Sequence, residues 1–278
     1  MAPLAQTLAL LAMAVATAAV EEVLMDMVHD SFDDQYQGCG PAMTEALPAL
    51  NRSEFQKNHL FAKVWLKAAA EWQRRGSPVS PLSSPSQAIA LMAYTMDDLY
   101  EEFNKAVRTA GSSSQEYRNN FHFKTLHFLL TDALETLRDT PEQDCWEVGW
   151  VVCGIQFKAQ SGDTVRFGQF MSTSMSRPSA QCSEPSTLFL ARTCRGVDIQ
   201  KFSYYHSEKE LLIPPFETFT VVQTIWDGKT QYIVLYSNGL KSNYNCEWLK
   251  GGSIPMAPFH LGGLLLATTA LAVATGIL

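Results

Sequence analysis

The chain has 278 residues, a net charge of -7 and no run of basic side chains. This acidic balance argues against a nucleic-acid-binding protein, which normally carries a basic patch. The six cysteines contain no Cys-x-x-Cys pair and the six histidines are scattered, so no metal site is expected.

The first residues have the pattern of a secretory signal peptide. Leu8–Val15 is an apolar run, and residues 16–18 (Ala-Thr-Ala) follow it as a small-x-small cleavage pattern. We therefore predict a signal peptide over residues 1–19 and export of the mature chain. The sequon at Asn51 then becomes a predicted glycosylation site, since this modification requires export.

Helical periodicity dominates the first half of the mature chain. Apolar residues recur at three- and four-residue spacing in three stripes, which predicts core-facing helices from about residue 50 to residue 140. The stripes are Phe61, Val64, Trp65, Ala68 and Trp72; Ile89, Met92, Met96, Leu99, Phe103 and Val107; and Leu126, Leu129, Leu130, Ala133, Leu134 and Leu137.

From about residue 145 to residue 250, short runs rich in Val, Ile, Thr, Phe and Tyr alternate with turn residues, which predicts β-strands. Helices followed by strands predict an α+β fold, with an N-terminal helical region packed on a mixed β-sheet core in one domain over residues 20–250. The predicted strands are Val148–Phe157, Thr164–Ser174, Leu188–Cys194, Ile199–Tyr205, Glu210–Ile213, Phe219–Ile225 and Gln231–Tyr236.

The last residues have the pattern of a membrane-attachment signal. Leu261–Leu278 is uncharged, mostly apolar and about long enough to span a bilayer. Residues 251–253 (Gly-Gly-Ser) and a short spacer precede it, as in a glycosylphosphatidylinositol (GPI) signal whose tail is removed. We predict that residues 251–278 are such a propeptide, with a plain C-terminal membrane anchor as the alternative.

Two acids, Glu208 and Glu210, stand at the head of an apolar run. Side chains repeat with period two in a strand, so both carboxylates are predicted to share one face. They repel each other unless a cation, or a positive charge developing in a reaction, lies between them. The pair is therefore a candidate for chemistry at an electron-poor centre; the alternative is a solvated strand end.

Four segments, in this order, resemble one family. They are Ser31–Cys39 (SFDDQYQGC), Phe167–Ser174 (FGQFMSTS), Glu208–Glu217 (EKELLIPPFE) and Tyr244–Cys246 (YNC). Together they resemble the vertebrate ecto-ADP-ribosyltransferases that modify arginine, over essentially the whole mature chain. The resemblance implies the fold of those enzymes and transfer of ADP-ribose from NAD, or NADP, to protein arginines with release of nicotinamide. NAD is then a co-substrate, and no permanently bound cofactor is expected.

The resemblance also implies roles for individual residues. Glu210 would stabilise the oxocarbenium-like state that forms as the glycosidic bond breaks. Glu208 would hold the acceptor guanidinium, which suits bidentate carboxylate geometry. Ser172 would position Glu210. Less secure matches to NAD contacts of the family are Tyr94, Gln169 and Ser203, each of which could equally be an ordinary structural side chain.

The chain departs from the family at Trp150. The resemblance implies an arginine there, which grips the NAD phosphates, followed by a glycine where this chain has Val151. Tryptophan cannot neutralise a diphosphate, and losing a charge-assisted hydrogen bond costs about 1.5–3 kcal/mol. Trp150→Arg is therefore expected to tighten NAD binding.

The even number of cysteines indicates disulfides in an exported protein. The resemblance implies the bridges Cys39–Cys246 and Cys145–Cys194. The remaining pair, Cys153 and Cys182, is expected either to form a third bridge or to stay as buried thiols.

The sequence thus predicts an extracellular, secreted or GPI-anchored mono-ADP-ribosyltransferase, acting as a monomer on NAD and on arginine-containing acceptor proteins. Two alternatives stay open. One is a weakly active or inactive member that serves as a surface antigen or binding module, which Trp150 favours. The other is an NAD glycohydrolase, which Glu208 disfavours because water needs no guanidinium holder.

Overall fold

The computed structural model describes residues 21–138, 145–175, 182, 185–205 and 209–250. The predicted signal peptide, the predicted C-terminal signal and Glu208 lie outside them. Within these ranges the elements are β1 (Glu21–Leu24), α1 (Gly40–Lys57), α2 (His59–Arg74), α3 (Pro85–Tyr94), α4 (Asp97–Ala110), α5 (Ser114–Asn120), α6 (Lys124–Arg138), β2 (Trp146–Cys153), β3 (Ile155–Lys158), β4 (Thr164–Val165), β5 (Met171–Ser174), β6 (Ser186–Thr193), β7 (Val197–Asp198), β8 (Glu210–Ile213), β9 (Glu217–Trp226), β10 (Thr230–Leu240) and α7 (Glu247–Lys250).

The helices α1 to α6 form one layer, and local capping explains several of their boundaries. The side chains of Asn58, Ser84 and Ser113 accept backbone hydrogen bonds at the starts of α2, α3 and α5. The second predicted stripe is divided into α3 and α4, and Asp97 and Asp98 open α4, where carboxylates favour a helix N-terminus. Helix α1 begins earlier than the apolar periodicity predicts, and the short α5 has no apolar stripe of its own.

The strands β4-β9-β10-β6-β2-β5-β8-β7 form one mixed sheet in this order, while β1 and β3 pair separately. Among the described strands, only β10 and β6 run parallel within the large sheet. A single register pair between described residues, Gly149 with Ser174, joins β2 to β5. The sheet therefore has a five-stranded part and a three-stranded part. The larger apolar core lies between the helices and the three-stranded part, and a smaller cluster lines the other face.

The predicted α+β fold is confirmed, but three predicted strands differ. The segment Val148–Phe157 is divided into β2 and β3 at Gly154, whose φ of 75° lies in the left-handed region. The segment Thr164–Ser174 is divided into β4 and β5. The prediction for Ile199–Tyr205 is wrong, since these residues form a turn and a loop. Its β-branched and aromatic residues reflect burial of Ile199 and Phe202 in the helical core rather than pairing in a sheet.

The two ends of the described chain meet in a structure that we call the terminal clasp, made of Ser31–Cys39, Asn243–Glu247 and Arg166. Asp33 is fully buried and forms an ion pair with the equally buried Arg166. Asp34 is also buried, and its two oxygens accept backbone hydrogen bonds at 2.8 Å from Tyr36, Cys246 and Glu247. The motif Ser31–Cys39 therefore connects the N-terminal and C-terminal parts of the described chain through buried carboxylates.

Three disulfides are present, Cys39–Cys246, Cys145–Cys194 and Cys153–Cys182. They are the two pairs implied by the resemblance and the third bridge that the sequence left open. Asn51 lies within α1 and is half-buried. No helix among the described residues is long and apolar enough to cross a membrane.

Candidate active site

Glu210 is the first residue of β8, and both of its carboxylate oxygens accept hydrogen bonds from serine hydroxyls. The Oγ of Ser172 on β5 donates to Oε1, and the Oγ of Ser203 donates to Oε2 at 2.5 Å. Ser174 is the register partner of Glu210, so Ser172 lies diagonally across on the same face. Glu210 is half-buried, whereas Ser203 is fully buried. The carboxylate is thus held in one orientation while it stays accessible from outside.

The loop that carries Ser203 is fastened by residues that the sequence did not reveal. The guanidinium of Arg75, just after α2, donates to the carbonyl oxygens of Ser203 and Tyr204, both at 2.7 Å. Glu71 pairs with the same guanidinium at 2.6 Å. The hydroxyl of Thr95 accepts a hydrogen bond from the Tyr204 backbone at 2.8 Å. Because Arg75 and Ser203 are 128 positions apart, no local pattern could have linked them.

Two tyrosines lie behind the carboxylate. Tyr94 is fully buried, and its hydroxyl donates to the carbonyl oxygen of Phe170 at 2.9 Å. The ring of Tyr100 lies 5.4 Å from that of Tyr94. Burial above all, with a contribution from the negative charge of Glu210, raises the pKa of both phenols. Both therefore stay protonated beside the carboxylate. The predicted contact of Tyr94 with NAD stays a prediction, and Tyr100 had no motif to identify it.

Gln169, another predicted NAD contact, lies two residues before β5 and close to α4. Its side-chain oxygen accepts a hydrogen bond from Arg108 on α4. Its amide nitrogen lies 3.1 Å from the sulfur of Met171. The residue therefore links the three-stranded part of the sheet to the helical layer, and it makes no direct bond to Glu210.

Trp150, at the position of the family's arginine, packs in the smaller apolar cluster. Its ring stacks on that of Phe189, with centroids 4.9 Å apart and planes 14° from parallel. The ring of Phe167 meets it edge-on at 5.2 Å. Alternation along β2 places Trp150 on the face opposite to that of Gly149. The side chain is thus a packing residue in this structure.

The face of Glu210 continues across the sheet. Register pairs connect Glu210 to Ser174, Ser174 to Gly149, Gly149 to Leu190 and Leu190 to Val234. Residues directly opposite each other on paired strands share a face, so these five residues form one row. The far part of the row borders a cavity of about 620 Å³, whose walls include Gly149, Leu190 and Val234.

Glu208 lies outside the described residues, so its predicted role as guanidinium holder stays a prediction. Among the residues that the structure does describe, no group of His, Cys, Asp and Glu side chains could hold a metal ion.

Comparisons with known proteins agree on one family. The model of the NAD:arginine ADP-ribosyltransferase family matches residues 25–243. The chain is 47% identical over 234 residues to the erythroblast NAD(P)(+)--arginine ADP-ribosyltransferase of Gallus gallus, covering 83% of this chain and 78% of that protein. It is 42% identical over 259 residues to the GPI-linked NAD(P)(+)--arginine ADP-ribosyltransferase 1 of Homo sapiens, covering 87% and 79%.

A solved structure has the same architecture. A mutant of the eukaryotic mono-ADP-ribosyltransferase ART2.2 in complex with NAD superposes with a TM-score of 0.67 at 31% identity, covering 81% of this chain and 98% of that one. The likeness extends over nearly the whole of that enzyme, so the helical layer and the sheet correspond together. The chain belongs to the NAD:arginine ADP-ribosyltransferase family.

Proposed function

We propose that the chain transfers ADP-ribose from NAD to arginine side chains of proteins and releases nicotinamide. The observation that carries the proposal is the Glu210 carboxylate, held by the hydroxyls of Ser172 and Ser203 on a face that continues into a large cavity. A fixed anion of this kind suits a reaction in which positive charge develops on the substrate.

In the proposed reaction the bond between the nicotinamide nitrogen and the ribose C1′ atom breaks, and nicotinamide leaves as a neutral ring with the bonding electron pair. The ribose then carries oxocarbenium character, which Glu210 stabilises as carboxylates do in glycoside hydrolysis. A guanidinium nitrogen of the acceptor forms the new bond to C1′ and loses a proton. Ser172 and Ser203 keep the carboxylate aimed, and Glu208 holds the acceptor.

We also propose that the protein is attached to the cell surface by a GPI anchor. The human relative is described as GPI-linked, and the C-terminal residues of this chain have the matching pattern. Three disulfides are consistent with an oxidising environment. Release of the expressed protein from cells by a phosphatidylinositol-specific phospholipase is the expected result; retention on the cells would favour a membrane-spanning tail.

Nicotinamide release from NAD by the purified protein, measured with and without agmatine as a small guanidine acceptor, tests the function. We expect release in both cases and an ADP-ribosyl-agmatine product when agmatine is present. Release without that product would instead indicate an NAD glycohydrolase. No release under either condition would contradict the proposal and favour a non-enzymatic surface protein.

A further inference from the structure

The cavity beside the Glu210 row has a cation on its wall. Arg192 on β6 lines the cavity and is exposed. It stands two residues beyond Leu190, on the same face as Glu210, because side chains on one face recur every second residue. The cavity volume of about 620 Å³ is within the usual range for small-molecule and cofactor sites.

Arg192 is not neutralised by an ion pair among the described residues. None of the ion pairs of this part of the chain includes it. Its register partner on β2 is Glu147, which is also exposed and also lines the cavity. The Cys145–Cys194 bridge joins the ends of these two strands next to the pair. The disulfide and the strand pairing therefore constrain the backbone that carries Arg192.

Three other arginines of the described chain are already engaged. Arg166 is buried in its ion pair with Asp33. Arg75 binds Glu71 and two loop carbonyls. Arg108 donates to Gln169 on the helical side. The position of the family's arginine holds Trp150, which stacks on Phe189.

The spacing suits one particular ligand group. Leu190 is three strand spacings, about 14 Å, from Glu210 along the row, and Arg192 lies beyond it on the same strand. In NAD one ribose connects the diphosphate to the nicotinamide. Glu210 would lie next to the bond between this ribose and the nicotinamide. A dinucleotide that starts at Glu210 and extends into the cavity brings its phosphates towards the flexible Arg192 side chain.

We propose that Arg192 binds the diphosphate of NAD and supplies the cation that the Trp150 position lacks. The inference rests on the proposed function and adds a specific phosphate-binding residue to it. A guanidinium suits phosphate oxygens because its planar fork makes paired, charge-assisted hydrogen bonds. Glu147, the register partner of Arg192, lines the same cavity and repels the phosphates, so it limits NAD affinity.

The test compares Arg192→Gln and Arg192→Lys with the parent protein, and Arg52→Gln as a matched control. Arg52 is exposed on α1 in the helical layer, and it does not line the cavity. Loss of Arg192 should raise KM for NAD about tenfold or more, with a much smaller change in kcat. The lysine variant should recover part of the loss. Glu147→Gln should change KM in the opposite direction.

Calorimetry with ADP separates this inference from the function as a whole, because ADP carries the diphosphate but cannot react. We expect ADP to bind the parent and Arg52→Gln equally and to bind Arg192→Gln at least about tenfold more weakly. Should Arg192→Gln keep the parental KM for NAD and the parental ADP affinity, the inference is wrong while the function stands. A parent that binds ADP through Arg192 but releases no nicotinamide would contradict the function and support the phosphate site. Failure of ADP to bind the parent overturns the inference.

Discussion

Carboxylates serve opposite purposes in the terminal clasp and in the active site. Asp33 and Asp34 are fully buried, and Arg166 or backbone N–H groups occupy their oxygens. Glu210 is half-buried and receives only the hydroxyls of Ser172 and Ser203 among the described donors. The first arrangement neutralises the charge and locks the chain ends together. The second arrangement orients the charge but leaves it available to a cationic centre.

The largest expected difference between the two regions is in catalysis. Glu210→Gln should lower nicotinamide release at least about 1,000-fold, because the amide cannot stabilise the developing positive charge. The free energy of unfolding should stay within about 0.5 kcal/mol of the parental value, since the amide oxygen still accepts a hydrogen bond. Steady-state kinetics and urea unfolding measure the two quantities.

The control for this change is Glu45→Gln, at an exposed position of α1, which should leave both quantities unchanged. Comparable nicotinamide release by Glu210→Gln and the parent would refute the catalytic assignment.

Glu208→Gln should lose transfer to agmatine but keep NAD cleavage, because water needs no guanidinium holder. Persistent transfer at the parental rate would remove Glu208 from the mechanism.

A change in the terminal clasp should lower stability and leave activity unchanged. Asp33→Asn leaves the buried Arg166 without its counter-charge, so the free energy of unfolding should fall by about 3–5 kcal/mol. Nicotinamide release per folded molecule should be unchanged. Asp30→Asn, at an exposed position of the same segment, is the control. A loss of activity in folded Asp33→Asn protein would show that the two regions are coupled.

Acid should weaken the clasp through His127. Nε2 of the buried ring donates to the Phe32 carbonyl, and Nδ1 of the neutral ring can accept from the Tyr36 hydroxyl. Burial lowers the pKa of His127 to about 3, against 6.5 in the unfolded chain. The unfolded state therefore takes up the proton first, and stability falls as the pH falls between these values.

The expected loss approaches about 1.4 kcal/mol per pH unit below pH 6.5, and amounts to about 2.3 kcal/mol between pH 6.5 and pH 4.5. Asp34 and Glu54 act in the opposite direction, because burial raises their pKa and the folded state then takes up protons first. The measurement is therefore the difference in slope between the parent and His127→Gln in urea unfolding at several pH values. Equal slopes would exclude His127 as the cause.

A smaller effect is expected at Trp150, where a substitution distinguishes a packing role from a role in NAD binding. The sequence predicts that Trp150→Arg tightens NAD binding, but the aromatic stack reverses that expectation. Replacing the ring removes its contacts with Phe189 and Phe167, so the free energy of unfolding should fall by about 2 kcal/mol with no gain in NAD affinity. Trp150→Phe keeps a stacked ring and serves as the control. Tighter NAD binding by Trp150→Arg in calorimetry would restore the original expectation.

The smallest expected effect concerns the positioning of Ser203. Arg75→Gln removes two charge-assisted hydrogen bonds to the loop, so kcat should fall about tenfold with little change in KM for NAD. Arg74→Gln, at an exposed position of α2, should behave like the parent. Arg75→Lys should restore part of kcat. Equal changes in kcat and unfolding free energy for Arg74 and Arg75 variants would argue for a general effect on the helix.

The sequence revealed the candidate site because its motifs are short and contiguous. The family resemblance named Glu210, Ser172 and Ser203, and the structure brings all three side chains together. Tyr94 and Gln169 were named from the same resemblance, yet their hydrogen bonds in this structure go to Phe170 and Arg108. Their predicted contacts with NAD stay predictions.

The sequence by itself determined the helical stripes, most strands and the cysteine content, since periodic burial depends on neighbours a few residues apart. Only the tertiary structure decided that Ile199–Tyr205 is a loop, that Arg75 fastens it, and that Arg192 shares the face of Glu210. These relations join residues far apart in the chain. They depend on the path of the backbone and on strand register, which local propensity does not specify.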